Sequence, residues 1–113
     1  MKREPLVRVL PAASQAVADQ ADYYATVSES DLPERWRRAV EQSFTTLLTV
    51  PSGGSFCGLM DPKLAELRRW PIEGFPNHLI LYRYAPESHM LTVVDVVHGA
   101  QDFPSRLSGL QNR

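Results

Sequence analysis

Residues 74–102, GFPNHLILYRYAPESHMLTVVDVVHGAQD, constrain this chain more than any other stretch. Two runs rich in β-branched and aromatic residues, 78–84 and 90–98, flank the break APESH at 85–89. Such side chains fit a pleated, half-buried surface. In the break, Pro cannot donate to a ladder, and Ser and Glu are at ease in water. A β-hairpin is predicted. Successive strand residues point to opposite faces. With Tyr84 set opposite Met90, one face takes His78, Ile80 and Tyr82 with Thr92, Val94, Val96 and His98. The other takes Leu79, Leu81 and Arg83 with Leu91, Val93, Asp95 and Val97. Both faces are mainly apolar, the pattern of a strand buried on two sides. Helices are expected on one of them. The other, presenting Leu79, Leu81, Val93 and Val97, is expected to await a partner, because large exposed apolar patches mark interaction sites.

The rest of the chain supplies the cover. Residues 6–10 (LVRVL) read as a short strand, and Pro11 both ends it and can open a helix. Over 12–27, Ala13, Val17, Ala21 and Tyr24 fall at helical spacing, with Tyr23 and Tyr24 read as packing groups. Asp31 followed by Glu34 resembles a capping box, with Pro33 in the first turn. A second helix is predicted over 33–48, its buried stripe formed by Trp36, Val40, Phe44 and Leu47. Arg37 and Arg38 lie off that stripe on a solvated face. The short link makes the two helices an antiparallel hairpin. Residues 50–62 are rich in Gly, Pro and Ser and read as a loop. Gly53 and Gly54 lack a following lysine at P-loop distance, so no phosphate cradle is expected. Residues 64–70 read as a strand or a helical turn, and 103–110 as a last helical turn. The predicted fold is α+β, in one domain over 1–113: a small antiparallel sheet, ordered β-α-α-β-β-β, with an N-terminal helical hairpin on one face.

Composition narrows the function classes. A chain of 113 residues suits one core. With 43% hydrophobic and 22% charged residues it has the make-up of an ordinary folded domain. No apolar run approaches the roughly 18 residues of a membrane span, and residues 1–7 lack the apolar core of a secretory signal. Cys57, the lone cysteine, reads as a packed or loop thiol and suits a reducing compartment, so a cytoplasmic location is expected. Lys and Arg number 12 against 13 Asp and Glu, so a general grip on nucleic acid is not indicated.

Several short pieces in one order make the chain recognisable. They are Leu67-Arg68 before Pro71, Gly74-Phe75, Asn77-His78-Leu79-Ile80, Tyr82-Arg83, and His98-Gly99-Ala100 with Asp102; QADYYA at 20–25 adds to them. Together they resemble the RelE/ParE superfamily of bacterial toxins, on its ParE side, whose members are also called plasmid-stabilisation proteins. The resemblance spans essentially the whole chain. It implies the toxin of a type II toxin–antitoxin module, neutralised by a cognate antitoxin. ParE-type members poison DNA gyrase; RelE-type members cleave mRNA on the ribosome. The sequence departs from the family pattern at Asp95 and Gln101, where arginine is common. Both departures remove positive charge near the end of the last strand and count against RNA handling.

The residues themselves offer limited chemistry. Ribonuclease action needs a base, an acid and cations on the scissile phosphate. His98 is the candidate for proton transfer, since its ordinary pKa lies near neutrality, but a lone histidine in a turn more often satisfies backbone groups. No second proton-transfer group beside His98 is expected. Arg68, Arg69 and Arg83 are candidates for binding an antitoxin or target, because a guanidinium meets carboxylates bidentately. Their structural alternative is pairing with Glu66, Glu73, Asp95 or Asp102. The three histidines show no metal-ligand spacing, so neither a metal nor another cofactor is expected. The reading reached is a toxin that binds a protein target such as DNA gyrase without catalysis of its own. The alternatives are a ribosome-dependent mRNA endoribonuclease and a non-toxic relative that only binds antitoxin.

Overall fold

The structure, a computed structural model, describes residues 4–28, 30–58 and 62–99. Five strands form one sheet: β1 (Leu6–Val9), β2 (Ser55–Phe56), β3 (Arg68–Ile72), β4 (Phe75–Ala85) and β5 (Met90–His98). Their order across the sheet is β1-β5-β4-β3-β2. Two helices, α1 (Pro11–Val27) and α2 (Leu32–Thr49), follow β1. The α+β class, the helical hairpin and the central β-hairpin agree with the sequence reading. The sheet is mixed rather than purely antiparallel, because β1 runs parallel to β5. Residues 64–70 resolve into both readings offered for them: a 3₁₀ turn at Pro62–Leu64 and then β3. The predicted turn at 103–110 lies outside the described residues.

α2 carries the anchor of the core. Trp36 and Leu47 are fully buried, and Val40 and Phe44 pack half-buried beside them. The Trp36 indole N–H donates to the carbonyl of Val17 at 3.0 Å, tying α2 to α1. Its ring meets Tyr24, Phe75 and His78 edge-on, with centroids 5.9, 5.2 and 4.8 Å away. Such pairs add to the area that burial removes from water. Ser43, also on the buried side, accepts the backbone N–H of Glu73 at 2.8 Å and holds the β3–β4 turn against α2. In that turn Gly74 adopts φ +82°, a conformation glycine reaches without a Cβ penalty. The expected capping box is not formed. The Asp31 side chain makes no cap bond and instead pairs with Arg35 at 3.2 Å, while Ser30 Oγ accepts the Leu32 N–H.

The central hairpin departs from the predicted register by one residue at the turn and by a second at a bulge. Near the turn Tyr84 pairs with Leu91 rather than Met90, and beyond it Leu81 pairs with Asp95 while Tyr82 pairs with Val93. Val94 is therefore an extra residue in β5. A β-bulge of this kind exchanges the faces on one side of it. Leu91 and Val93 turn into the core beneath the helices, and Val94 turns away with Leu67, Leu81 and Val97.

Candidate functional site

The face away from the helices is not the open apolar patch expected from strand alternation. Leu81 is 0%, Val97 2% and Val93 2% exposed. Leu81 and Val97 form a second small core with Leu67 and Val94, closed by the chain's own Leu10, Cys57, Leu64 and Leu79. Val93 belongs to the other core altogether. Cys57, Leu64 and Leu67, from between α2 and β3, thus cover this face. Of the four apolar candidates, Leu79 alone keeps partial exposure. Burial raises the Cys57 thiol pKa, with Arg69 opposing it, so this thiol is protonated and inert near neutrality.

Arg68 and Arg69 are neighbours with different fates. Arg68 is half-buried and its Nη1 donates to the carbonyls of Ser52 and Gly54 at 3.0 and 2.8 Å. Its guanidinium lies 4.0 Å from the centroid of the Phe56 ring. The Gly54 N–H in turn donates to the buried Tyr82 hydroxyl at 2.8 Å. A Cβ on Gly54 would fall 2.4 Å from that oxygen and 2.7 Å from the Arg69 carbonyl, so only glycine fits. Burial raises the Tyr82 pKa, partly offset by the Gly54 N–H and by Arg68. Arg68 therefore helps position the 52–56 loop, and Gly54 serves the same clasp.

Arg69 opposes Leu81, and Arg83 opposes Thr92, so both point to the face away from the helices. Arg8 on β1 is the other register partner of Thr92. Arg8 and Arg83 thus flank Thr92 in one line across three strands, about 10 Å apart at two strand spacings. All three arginines are exposed, and none forms an ion pair with a described acid. Pairing with Glu66, Glu73 or Asp95 is not seen; Asp102 lies outside the described residues. Arg8 escaped the sequence reading because nothing in LVRVL says which strand it joins.

His98 stands directly opposite His78, which puts a second imidazole beside it where no second proton-transfer group was expected. The two rings are nearly perpendicular with centroids 4.9 Å apart, and Trp36 packs against His78. Burial, and then the neighbouring His98, hold the His78 pKa below its ordinary value. His78 is 8% exposed and its Nε2 has no hydrogen-bond partner. The pair lines a cavity of about 180 Å³ between α1 and the sheet, which Asp19, Gln20 and Trp36 also border. The signal was present in the sequence, since strand parity places His78 and His98 on one face. Among the described residues no group of three or more His, Cys, Asp or Glu is arranged to hold a metal ion. No described helix is long and apolar enough to cross a membrane.

A sheet of this order under a helical hairpin defines a RelE/ParE-like fold. The family profile described as the ParE toxin of the type II toxin–antitoxin system parDE matches residues 7–103. The chain belongs to this family and is a type II toxin–antitoxin toxin of ParE/RelE type. Among the solved structures similar in fold are two toxin–antitoxin systems. One is the chromosomal ParDE system from P. aeruginosa, at a TM-score of 0.67 and 10% identity, covering 84% of this chain and 96% of the other. The other is the toxin–antitoxin complex RelBE2 from Mycobacterium tuberculosis, at 0.56 and 20%, covering 85% and 99%. No curated protein matches the chain.

Proposed function

We propose that this toxin acts in the cytoplasm by binding a protein target, DNA gyrase, and is held inactive by a cognate antitoxin that covers its charged surface. Growth inhibition and plasmid maintenance would follow from that binding. The observation carrying this reading is the line of exposed arginines on the face away from the helices, Arg8 and Arg83 with Arg69 beside them. These guanidiniums have no acidic partner among the described residues. Exposed arginine forks suit the carboxylates of an acidic protein segment. Leu79, half-buried at the end of the same face, adds apolar contact.

The His78–His98 pair favours a second reading, in which the two imidazoles pass protons during ribosome-dependent mRNA cleavage. The surroundings speak against it. Among the described residues the cavity bearing both rings is bordered by the Asp19 carboxylate and by no lysine or arginine, so this part of its lining repels a scissile phosphate rather than holding it. The test uses the purified chain in two assays side by side: gyrase supercoiling of a plasmid, and integrity of an mRNA on translating ribosomes. Loss of supercoiling with intact transcripts is expected. Ribosome-dependent cleavage with normal supercoiling would move the protein to the ribonuclease reading, and no effect in either, with antitoxin still bound, would leave it a binder without toxicity.

A further inference from the structure

The cavity between α1 and the end of the β4–β5 hairpin is left over by that account. Its volume, about 180 Å³, far exceeds the roughly 10–15 Å³ of accessible space a single water needs. Its described lining is chemically one-sided: the Asp19 carboxylate, the Gln20 carboxamide, and the two imidazoles over Trp36, with no lysine or arginine among the described residues. Asp19 Oδ1 accepts one bond from Gln15 Nε2 at 2.7 Å, which leaves its second oxygen open. His78 Nε2 is buried with nothing to bond, and such a group is costly until it finds a partner. The approach is acidic as well, because α1 carries Asp19 and Asp22 and neither lysine nor arginine.

We propose that this cavity is an anchor pocket for one arginine side chain of the antitoxin; the proposal rests on the antitoxin reading above. A guanidinium is planar, always charged, and carries five donors. It can donate to the open Asp19 oxygen and to the Gln20 carbonyl, while its flat face lies against the imidazole and indole rings that border the space. A carboxylate or phosphate would instead meet Asp19 at close range. A protein segment suits the site better than a free small molecule. Val7 and Val9, on the edge strand β1, pair with Leu91 and Val93 of the helix-side core. They stay 40% and 45% exposed on that same side of the sheet. They offer apolar contact for antitoxin residues on one side of the anchor.

Two measurements test this. In the first, the full chain is titrated with N-acetyl-arginine amide and, separately, with N-acetyl-glutamate amide, following the ring ¹H–¹⁵N signals of His78 and His98. A saturable shift of His78 Nε2 with the arginine probe alone is expected. No shift, or equal shifts with both probes, overturns the pocket's assignment. In the second, the antitoxin encoded beside this gene is bound to the unaltered chain, to Asp19→Asn and to Asp22→Asn. Both aspartates are exposed, so the variants fold. Asp19→Asn is expected to weaken binding about tenfold or more, the scale of one lost charge-assisted bond, and Asp22→Asn less than about twofold. Equal effects of the two, or none from Asp19→Asn while the unaltered chain binds, overturn the anchor alone. Failure of the unaltered chain to bind that antitoxin overturns the antitoxin reading instead.

Discussion

The two faces of this sheet are both closed by the chain itself, but by unlike means. On one side a helical hairpin lays the large aromatic groups Trp36 and Tyr24, joined by Phe75 of β4, over Ile80, Tyr82 and Val93. On the other, a loop and a 3₁₀ turn set Leu64 and Leu67 over Leu81, Val94 and Val97. The helix side leaves an acid-bordered cavity beside two imidazoles; the loop side leaves arginines in water. Stability is therefore concentrated under the helices, and binding charge on the far side.

Truncations should expose that difference most strongly. Trp36→Ala removes a fully buried indole and its bond to Val17, so a loss of about 3–5 kcal/mol is expected in urea unfolding. Leu81→Ala should cost about 2–3 kcal/mol, because the short covering loop can settle into part of the space. An equal or larger loss at Leu81 would show that the far side, not the helix side, carries the fold. Tyr82→Phe tests the joint between core and loop. It leaves the buried Gly54 N–H without its acceptor, and a loss of about 1–3 kcal/mol is expected in the same unfolding experiment.

A smaller effect concerns acid. His78 has a folded pKa below its ordinary 6.5, from burial first and His98 second. The unfolded chain then binds more protons than the folded chain as pH falls below about 6.5. The stability from keeping His78 neutral is fully present above that value and is lost as pH falls through the depressed folded pKa. Thermal unfolding at a series of pH values should show this slope, and His78→Phe should remove it. The least expected change in stability is in the Arg8→Ala, Arg69→Ala, Arg83→Ala triple variant, within about 0.5 kcal/mol for each exposed site. Its binding to gyrase or antitoxin should nevertheless fall sharply. Unchanged binding by calorimetry would remove the far side from the interface.

How far the sequence reached differs between these regions for physical reasons. The stripe of Trp36, Val40, Phe44 and Leu47 announces α2, and the runs around APESH announce the β4–β5 hairpin, because burial imposes a period on both. The bulge at Val94 left no such mark: in a run of valines an extra residue does not disturb the apolar pattern, yet it moved Val93 to the opposite face. The pairing of β1 with β5, and so the place of Arg8, depends on a contact between distant segments that local patterning does not encode. Arg68 looked like a binding arginine, and only the path of the loop shows its Nη1 bonded to the carbonyls of Ser52 and Gly54.

Whether the toxin binds its target or cuts RNA is tested most directly at His98. Growth after induction is followed for the unaltered chain and for His98→Gln, with the folded fraction of each measured in the same cells and mRNA integrity probed alongside. A protein-binding toxin predicts a stability loss of about 1 kcal/mol, the usual scale of a single substitution, from the altered packing against His78, with growth arrest falling only as the folded fraction falls and transcripts intact throughout. Transcript cleavage by the unaltered chain that disappears in a fully folded His98→Gln variant, together with its growth arrest, would contradict that account.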